Sequence, residues 1–464
     1  MRIEGCHSLN FIFRGQLPQS LKKLQIVNCE KLQCLLDDNE DTSTSHHLQD
    51  LNIRDCPSLT CLPSIHQLPA TLTSLTIWNC SKLTTLSSLG QLYVSLKHLK
   101  IGSCSELTAL LPNGQLPETL ETLSIDSCPK LESVVEKFHN NKALYNISIW
   151  FCNHLKSFPE GLETLSGLRS IMMMYCRGLA SFPKGRFPNS NLKVIVSECE
   201  KLEALPSGIH NLSYLGIHDC PNIRLFEEGL PTKLGGLSIS DRKQYKALME
   251  LGLHNLTSLT SLHISGQRDG ESLHEEDMRI TLPRTLTWMS IEYFPNLKYL
   301  SFKDFELCPS LERLWIENCP ELTSLPSLPP SLLQLYILGC PLLKEACKRD
   351  KGKEWSKIAD IPRVEIDLSS TRIKRLGSCT PKMSTDAQKI HFIWHWPHGD
   401  VLSYLKITYR VRKTWTPGMA AVEDGTARFV ELLEAIRRFL PFLGTDLKDN
   451  INPRNPPLDQ MLPQ

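Results

Sequence analysis

Apolar residues return along this chain in a fixed phrase, Leu-x-x-Leu-x-Ile-x-x-Cys-x-x-Leu, about every 24 residues. From Cys56 through Cys80, Cys104, Cys128 and Cys152 to Cys176 the step is 24 each time. Inside the phrase the second Leu and the Ile are separated by one residue, the period-two alternation of a short strand with one buried face. The clearest repeats read Leu24, Ile26, Cys29; Leu51, Ile53, Cys56; Leu75, Ile77, Cys80; Leu99, Ile101, Cys104; and Leu123, Ile125, Cys128. The series continues with Ile147, Ile149, Cys152 and Ile171, Met173, Cys176, then a compressed repeat at Cys199 and another at Cys220. Three repeats keep the apolar positions but carry Arg242, Gln267 or Phe294 where the cysteine stood, and regular repeats resume at Cys319 and Cys340. In the irregular stretch a short helix is predicted around 246–253, followed by a charged insertion over 268–279.

A unit of this length cannot bury its apolar face alone, so neighbours must stack into one continuous core. The expected fold is an α/β repeat, a leucine-rich-repeat solenoid of horseshoe form with one short parallel strand per repeat and a mostly irregular convex side. About 15 repeats are expected over residues 1–368. Leu-Pro and Phe-Pro pairs such as Phe158-Pro159 and Leu205-Pro206 follow the strands, because proline cannot donate to a sheet and marks where the chain turns away. The acidic stretch between Leu36 and Leu48 reads as a solvated insertion. Residues 369–464 do not continue the repeat; one amphipathic helix near 427–440 is expected there, and the remainder reads as largely disordered.

Composition narrows the chemistry. With 51 basic and 50 acidic side chains, the net charge of +1 gives no general attraction to nucleic acid or anionic membrane. No apolar run approaches the roughly 20 residues of a membrane span, and the first residues enter a repeat rather than a signal peptide, so a cytoplasmic protein is expected. Twelve of the 17 cysteines occupy one repeat position, which suits buried, reduced thiols better than a disulfide framework. The C-x4-C pairs Cys29/Cys34 and Cys56/Cys61 are read as small side chains in a small-residue column and not as zinc ligands, and the cluster His391, His395, His398 as incidental. No nucleophile or metalloprotease motif is present, so neither catalysis nor a cofactor or metal is expected. The sequons at Asn79, Asn146, Asn211 and Asn255 are expected to stay unmodified without a secretory signal.

The last repeats, with Cys340-Pro341-Leu342-Leu343-Lys344-Glu345, Cys347, Gly352, Trp355, Ile358, Ile361-Pro362 and Ile366, resemble the end of a plant nucleotide-binding leucine-rich-repeat (NLR) disease resistance protein of the coiled-coil class. The resemblance covers roughly residues 3–368. It implies a domain that recognises a pathogen effector, a guarded host protein or the receptor's own nucleotide switch. The chain departs from that family in having no G-x-x-x-x-G-K-[ST] phosphate loop and no coiled-coil signalling segment. An orphan repeat domain is therefore expected, and Met1, which falls inside a repeat without a polar cap, reads as the mark of a partial gene.

Function is then sought on the residues between the buried strand positions, which must face the concave side. Trp150, Phe151, Met172, Met174 and Tyr175 form one candidate partner-binding group, with Trp78 three repeats earlier. Tyr293, Trp315 and Tyr336, flanked by Glu292 and Glu317, form a second. Clustered aromatics are candidate binding hot spots, and ordinary cross-strand packing is the alternative. A substrate-recruiting or scaffold subunit, such as the repeat arm of a ubiquitin ligase, is the other function class, although no F-box-like segment precedes the repeats.

Overall fold

The computed structural model describes residues 1–367 apart from 14–17, 19, 36–46, 63–69, 88–89, 91, 189–190, 226–228, 230, 241 and 267–280. The acidic insertion after Leu36, the charged insertion over 268–279, Gln267, the histidine cluster and the helix near 427–440 therefore lie outside the described residues.

Sixteen parallel strands form one sheet in strict sequence order. They are β1 (Arg2–Glu4), β2 (Lys23–Val27), β3 (Asp50–Arg54), β4 (Ser74–Trp78), β5 (His98–Gly102), β6 (Thr122–Asp126), β7 (Asn146–Trp150) and β8 (Ser170–Met174). The series ends with β9 (Leu192–Ser197), β10 (Leu212–His218), β11 (Gly236–Ile239), β12 (Ser261–Ser265), β13 (Trp288–Glu292), β14 (Arg313–Glu317), β15 (Gln334–Leu338) and β16 (Arg363–Ile366). This is a leucine-rich-repeat solenoid. Its register stacks like on like: Leu51, Leu75, Leu99 and Leu123 share one column, and Ile53, Ile77, Ile101 and Ile125 the next. All eight are essentially excluded from solvent. At about 0.8 kcal/mol per buried methylene, the columns supply the main driving force for stacking.

What ends each strand is a residue in the left-handed region. Asn28, Asp55, Asn79, Ser103, Ser127, Phe151, Tyr175, Glu198, Asp219, Tyr293 and Asn318 all have φ between 49° and 58°, and each stands one place before the cysteine position. The bend lets the backbone N–H of Asp55, Asn79 or Ser127 reach the last carbonyl of the following strand, at 2.9 Å in each case. It also turns the next side chain inward. The thiols of Cys56, Cys152 and Cys340 donate to the carbonyl two residues back at 3.3, 3.3 and 3.2 Å. The cysteine is thus a small apolar plug with one weak donor, and the described cysteines are all free thiols. Eleven of the twelve ladder cysteines are buried; Cys6 is only partly so, because β1 has a neighbouring strand on one side alone. Phe294 fills the same position without a thiol and is fully buried.

The returning side carries little regular structure. Short 3-10 turns occur at Leu162–Thr164, Ile209–Asn211, Leu253–Asn255 and Phe305–Leu307. Phe138, Phe158, Phe182 and Phe187 pack ring to ring there, with centroids 5.8, 5.0 and 6.5 Å apart along the series. The helix predicted around 246–253 instead occupies Arg242–Leu251 (α1). Tyr245 and Leu248, three residues apart, supply its buried face, and Gly252 at φ 80° stops it.

After β15 the chain closes the core with α2 (Pro341–Ala346), α3 (Trp355–Ile358) and β16. Glu354 is buried there, accepts the Leu325 N–H at 3.1 Å and meets Lys357 Nζ at 2.7 Å. Lys357 in turn donates to the Leu325 carbonyl at 2.6 Å. The resemblance to a terminal repeat thus coincides with a polar lock across the last turns.

Candidate recognition surface

Along each strand alternate residues point away from the core, the first, third and fifth in the five-residue strands, so side chains of this outer face form rows across the sheet. One row runs His263, Ser290, Trp315, Tyr336, Glu365, and the parallel row two residues on contains Glu292 and Glu317 side by side. The nine predicted surface residues do not all behave alike. Trp150, Met172 and Met174 occupy outer positions of β7 and β8 and are half-buried, with Trp150 directly opposite Met174. Trp315 and Tyr336 are opposite one another on β14 and β15, half-buried, and stacked with ring centroids 4.7 Å apart at 28°.

Phe151, Tyr175 and Tyr293 require a correction, because they are not strand residues. All three sit in the left-handed bend, at φ 53°, 55° and 58°. Phe151 and Tyr175 stack there, 4.5 Å between centroids and nearly parallel. A bulky side chain at positive φ is disfavoured, so these aromatics occupy sites where asparagine, aspartate, serine or glycine serves in most other repeats, and glutamate at Glu198. Trp78 requires a second correction. It is only 6% exposed, its ring lying against Gly102 in the opposing strand, where a Cβ would come within 2.2 Å of the ring. Lys100 Nζ stands 5.8 Å from its centroid. Alternation placed Trp78 on the correct face, while its neighbour's missing side chain determined that it lies flat.

A polar network across β10 to β14 was not read from the sequence as a unit, although each member occupies an outer position. Ser238 Oγ and His218 Nε2 are 3.0 Å apart, the His218 and His263 rings pack edge to face at 5.9 Å, and His263 Nδ1 lies 3.4 Å from Glu292 Oε1. Ser290 donates to the same carboxylate at 2.5 Å. Trp315 Nε1 donates to Glu317 Oε2 at 2.8 Å, and Asn318 Nδ2 to Oε1 at 3.3 Å. Desolvation, with His263 close by, drives the His218 pKa down to about 3. Burial raises Glu292, but its contact with His263 prevails and leaves it below the usual carboxylate range. Glu317 is pushed up to about 6 by burial and by Glu292 beside it. Glu292 contacts His263 and not His218, so serine, histidine and carboxylate are not in line as a nucleophilic triad requires.

Among the described residues, no group of three or more His, Cys, Asp or Glu could hold a metal ion. Cys29 and Cys56 are buried, Cys34 is half-buried and Cys61 is exposed. No helix among the described residues is long and apolar enough to cross a membrane.

No protein-family profile matches the chain. Over 180 residues, 38% of its length, it is 33% identical to a "putative disease resistance protein" of Arabidopsis thaliana. It spans 12% of the length of that relative. Among solved structures it is similar to an internalin from Listeria monocytogenes (12% identity, 73% of this chain and 87% of that one, TM-score 0.32). It is also similar to YopM from Yersinia enterocolitica (20% identity, 69% and 74% covered, TM-score 0.34). A third is the functional domain of InlJ from Listeria monocytogenes, which includes a cysteine ladder (14% identity, 69% and 70% covered, TM-score 0.26).

Proposed function

We propose that this chain is the recognition part of a plant innate-immune receptor, binding a pathogen effector or a host partner protein in the cytoplasm through the outer face of its sheet. The solenoid fold and the disease-resistance relative fit a protein-interaction module. The observation that carries the reading is the grouping of Trp150, Met172 and Met174 on adjacent strands beside the Phe151/Tyr175 stack. Methionine and aromatic side chains brought together outside a core are what protein-binding surfaces are rich in. The cysteine and leucine columns are consumed by folding and leave this face as the part free to vary.

The test compares Trp150→Ala with Ile149→Ala in leaf tissue expressing the tagged chain. Recovery of a partner protein by wild type, its loss by Trp150→Ala, and an unchanged melting temperature for that variant support the reading. Equal recovery by wild type and Trp150→Ala removes the Trp150 group from recognition.

A further inference from the structure

Two aromatic rings on the outer face are already served by the protein's own cations. Lys100 stands over Trp78 at 5.8 Å, and the Arg363 guanidinium over Tyr336 at 5.7 Å. The geometry is the same in both. The cation lies on the following strand, two residues before the residue directly opposite the ring: Lys100 precedes Gly102, which faces Trp78, and Arg363 precedes Glu365, which faces Tyr336. Arg363 is also held by Glu365, Nε to Oε1 at 2.7 Å.

Trp315 breaks this rule. The position that would supply its cation is Gln334, opposite Arg313 and two residues before Tyr336. It carries no charge, and its amide oxygen accepts the Tyr336 hydroxyl at 3.2 Å. Yet Trp315 has the carboxylate that a cation needs, since Glu317 is tied to its indole N–H at 2.8 Å. One ring face is taken by Tyr336, so the other turns toward β13, where the register places Ser290, a small side chain. Glu292 and Glu317 stand next to each other on neighbouring strands; Glu292 has His263 at 3.4 Å, whereas Glu317, 6% exposed, accepts from the uncharged Trp315 and Asn318 side chains and has the like charge of Glu292 beside it.

We propose that Trp315 and Glu317 form a docking site for an arginine side chain of a basic segment in the partner protein, completing on the ligand's side the ring, cation and carboxylate set that Tyr336, Arg363 and Glu365 complete internally. The proposal rests on the recognition reading above and names the partner's chemistry. Arginine fits better than lysine because its planar guanidinium can stack on an indole while its N–H groups reach a carboxylate edge-on.

The test uses the full chain with Ac-Gly-Arg-Gly-NH2 and its uncharged isostere Ac-Gly-citrulline-Gly-NH2, following the Trp315 indole N–H resonance, which Trp315→Phe assigns by deletion. Saturable displacement by the arginine peptide, little by the citrulline peptide, and about tenfold weaker arginine binding in Glu317→Gln are expected. Equal response to both peptides, response to neither, or unchanged affinity in Glu317→Gln overturns the site. If the peptide result fails while Trp150→Ala still loses its partner, the recognition face stands and the arginine chemistry alone falls. If the peptide result holds while Trp150→Ala keeps its partner, the arginine site survives and the Trp150 group is dropped from recognition.

Discussion

Asn79 donates through Nδ2 to Oδ1 of Asp55 at 2.8 Å, 24 residues away in the preceding bend. Both residues are left-handed, and both pass their backbone N–H to the end of the next strand. The bend column is therefore a second ladder beside the cysteines. Asparagine and aspartate tolerate this backbone better than other residues with a Cβ because their short polar side chains bond locally.

Asn79→Ala is expected to destabilise the protein by about 2 kcal/mol, roughly half from the left-handed backbone and half from the lost hydrogen bond. Asn79→Gly should recover the backbone part. Urea denaturation of the two variants separates the contributions, and equal losses would show that φ has no part in the effect.

Gly102 is expected to be intolerant for a reason located in another repeat. A side chain there meets the Trp78 ring, so Gly102→Val should lift the indole from the sheet, raise its solvent exposure and shift tryptophan fluorescence to the red. In the double variant Gly102→Val, Trp78→Ala much of the stability lost by the single variant should return, since the clash is pairwise. Additive losses would argue against the stacked geometry.

Alkaline pH should weaken the fold through the thiol column. Burial pushes Cys56 and Cys152 up to about 12 from an ordinary 9.0. Unfolded thiols release their protons above about pH 9 while the folded ones keep theirs, so the stability present below pH 9 is lost progressively as pH rises toward 12. The expected slope is about 1.4 kcal/mol per pH unit for each such thiol. Chemical denaturation between pH 7 and 11 checks it; Cys152→Ala, less stable at pH 7, should narrow its deficit as pH rises.

Glu317 works in the same direction at lower pH. Its pKa is raised from 4.5 to about 6, so its stability contribution is complete below about 4.5 and is lost as pH rises through 6. Glu317→Gln should therefore stabilise the protein at pH 7 by roughly 1–2 kcal/mol, with the gain vanishing near pH 4. A more stable variant that binds the arginine peptide less well would mark Glu317 as retained for recognition at a cost in stability.

Glu354→Ala should cost about 2–3 kcal/mol and act locally, because it strands the Leu325 N–H and removes the carboxylate partner of Lys357, leaving that ammonium only the Leu325 carbonyl. Hydrogen exchange is the sensitive readout. Faster exchange confined to β15, β16 and the helices between them is expected, and uniform acceleration along all sixteen strands would contradict a local lock.

The repeat phrase alone determined the fold. Leucine, isoleucine and cysteine at fixed spacing leave one arrangement in which every apolar residue is covered, namely parallel strands stacked in register, and the columns through Leu75, Ile77 and Cys80 could be written from the sequence. Alternation also assigned Trp150, Met172, Trp315 and Tyr336 to the outer face. The left-handed bend was not read from the sequence, because Phe151, Tyr175 and Tyr293, at the position of Asn28, Asp55 and Asn79, passed for strand residues. Only the tertiary structure decided what outer-face side chains do with one another, because that depends on neighbours some 24 residues away and not on the local pattern. Gly102 makes Trp78 lie flat, Tyr336 takes one face of Trp315, and Glu292 and Glu317 meet only because β13 and β14 pair. The period specifies the core, since burial acts on every repeat alike; the face is set by pairwise contacts that no period encodes.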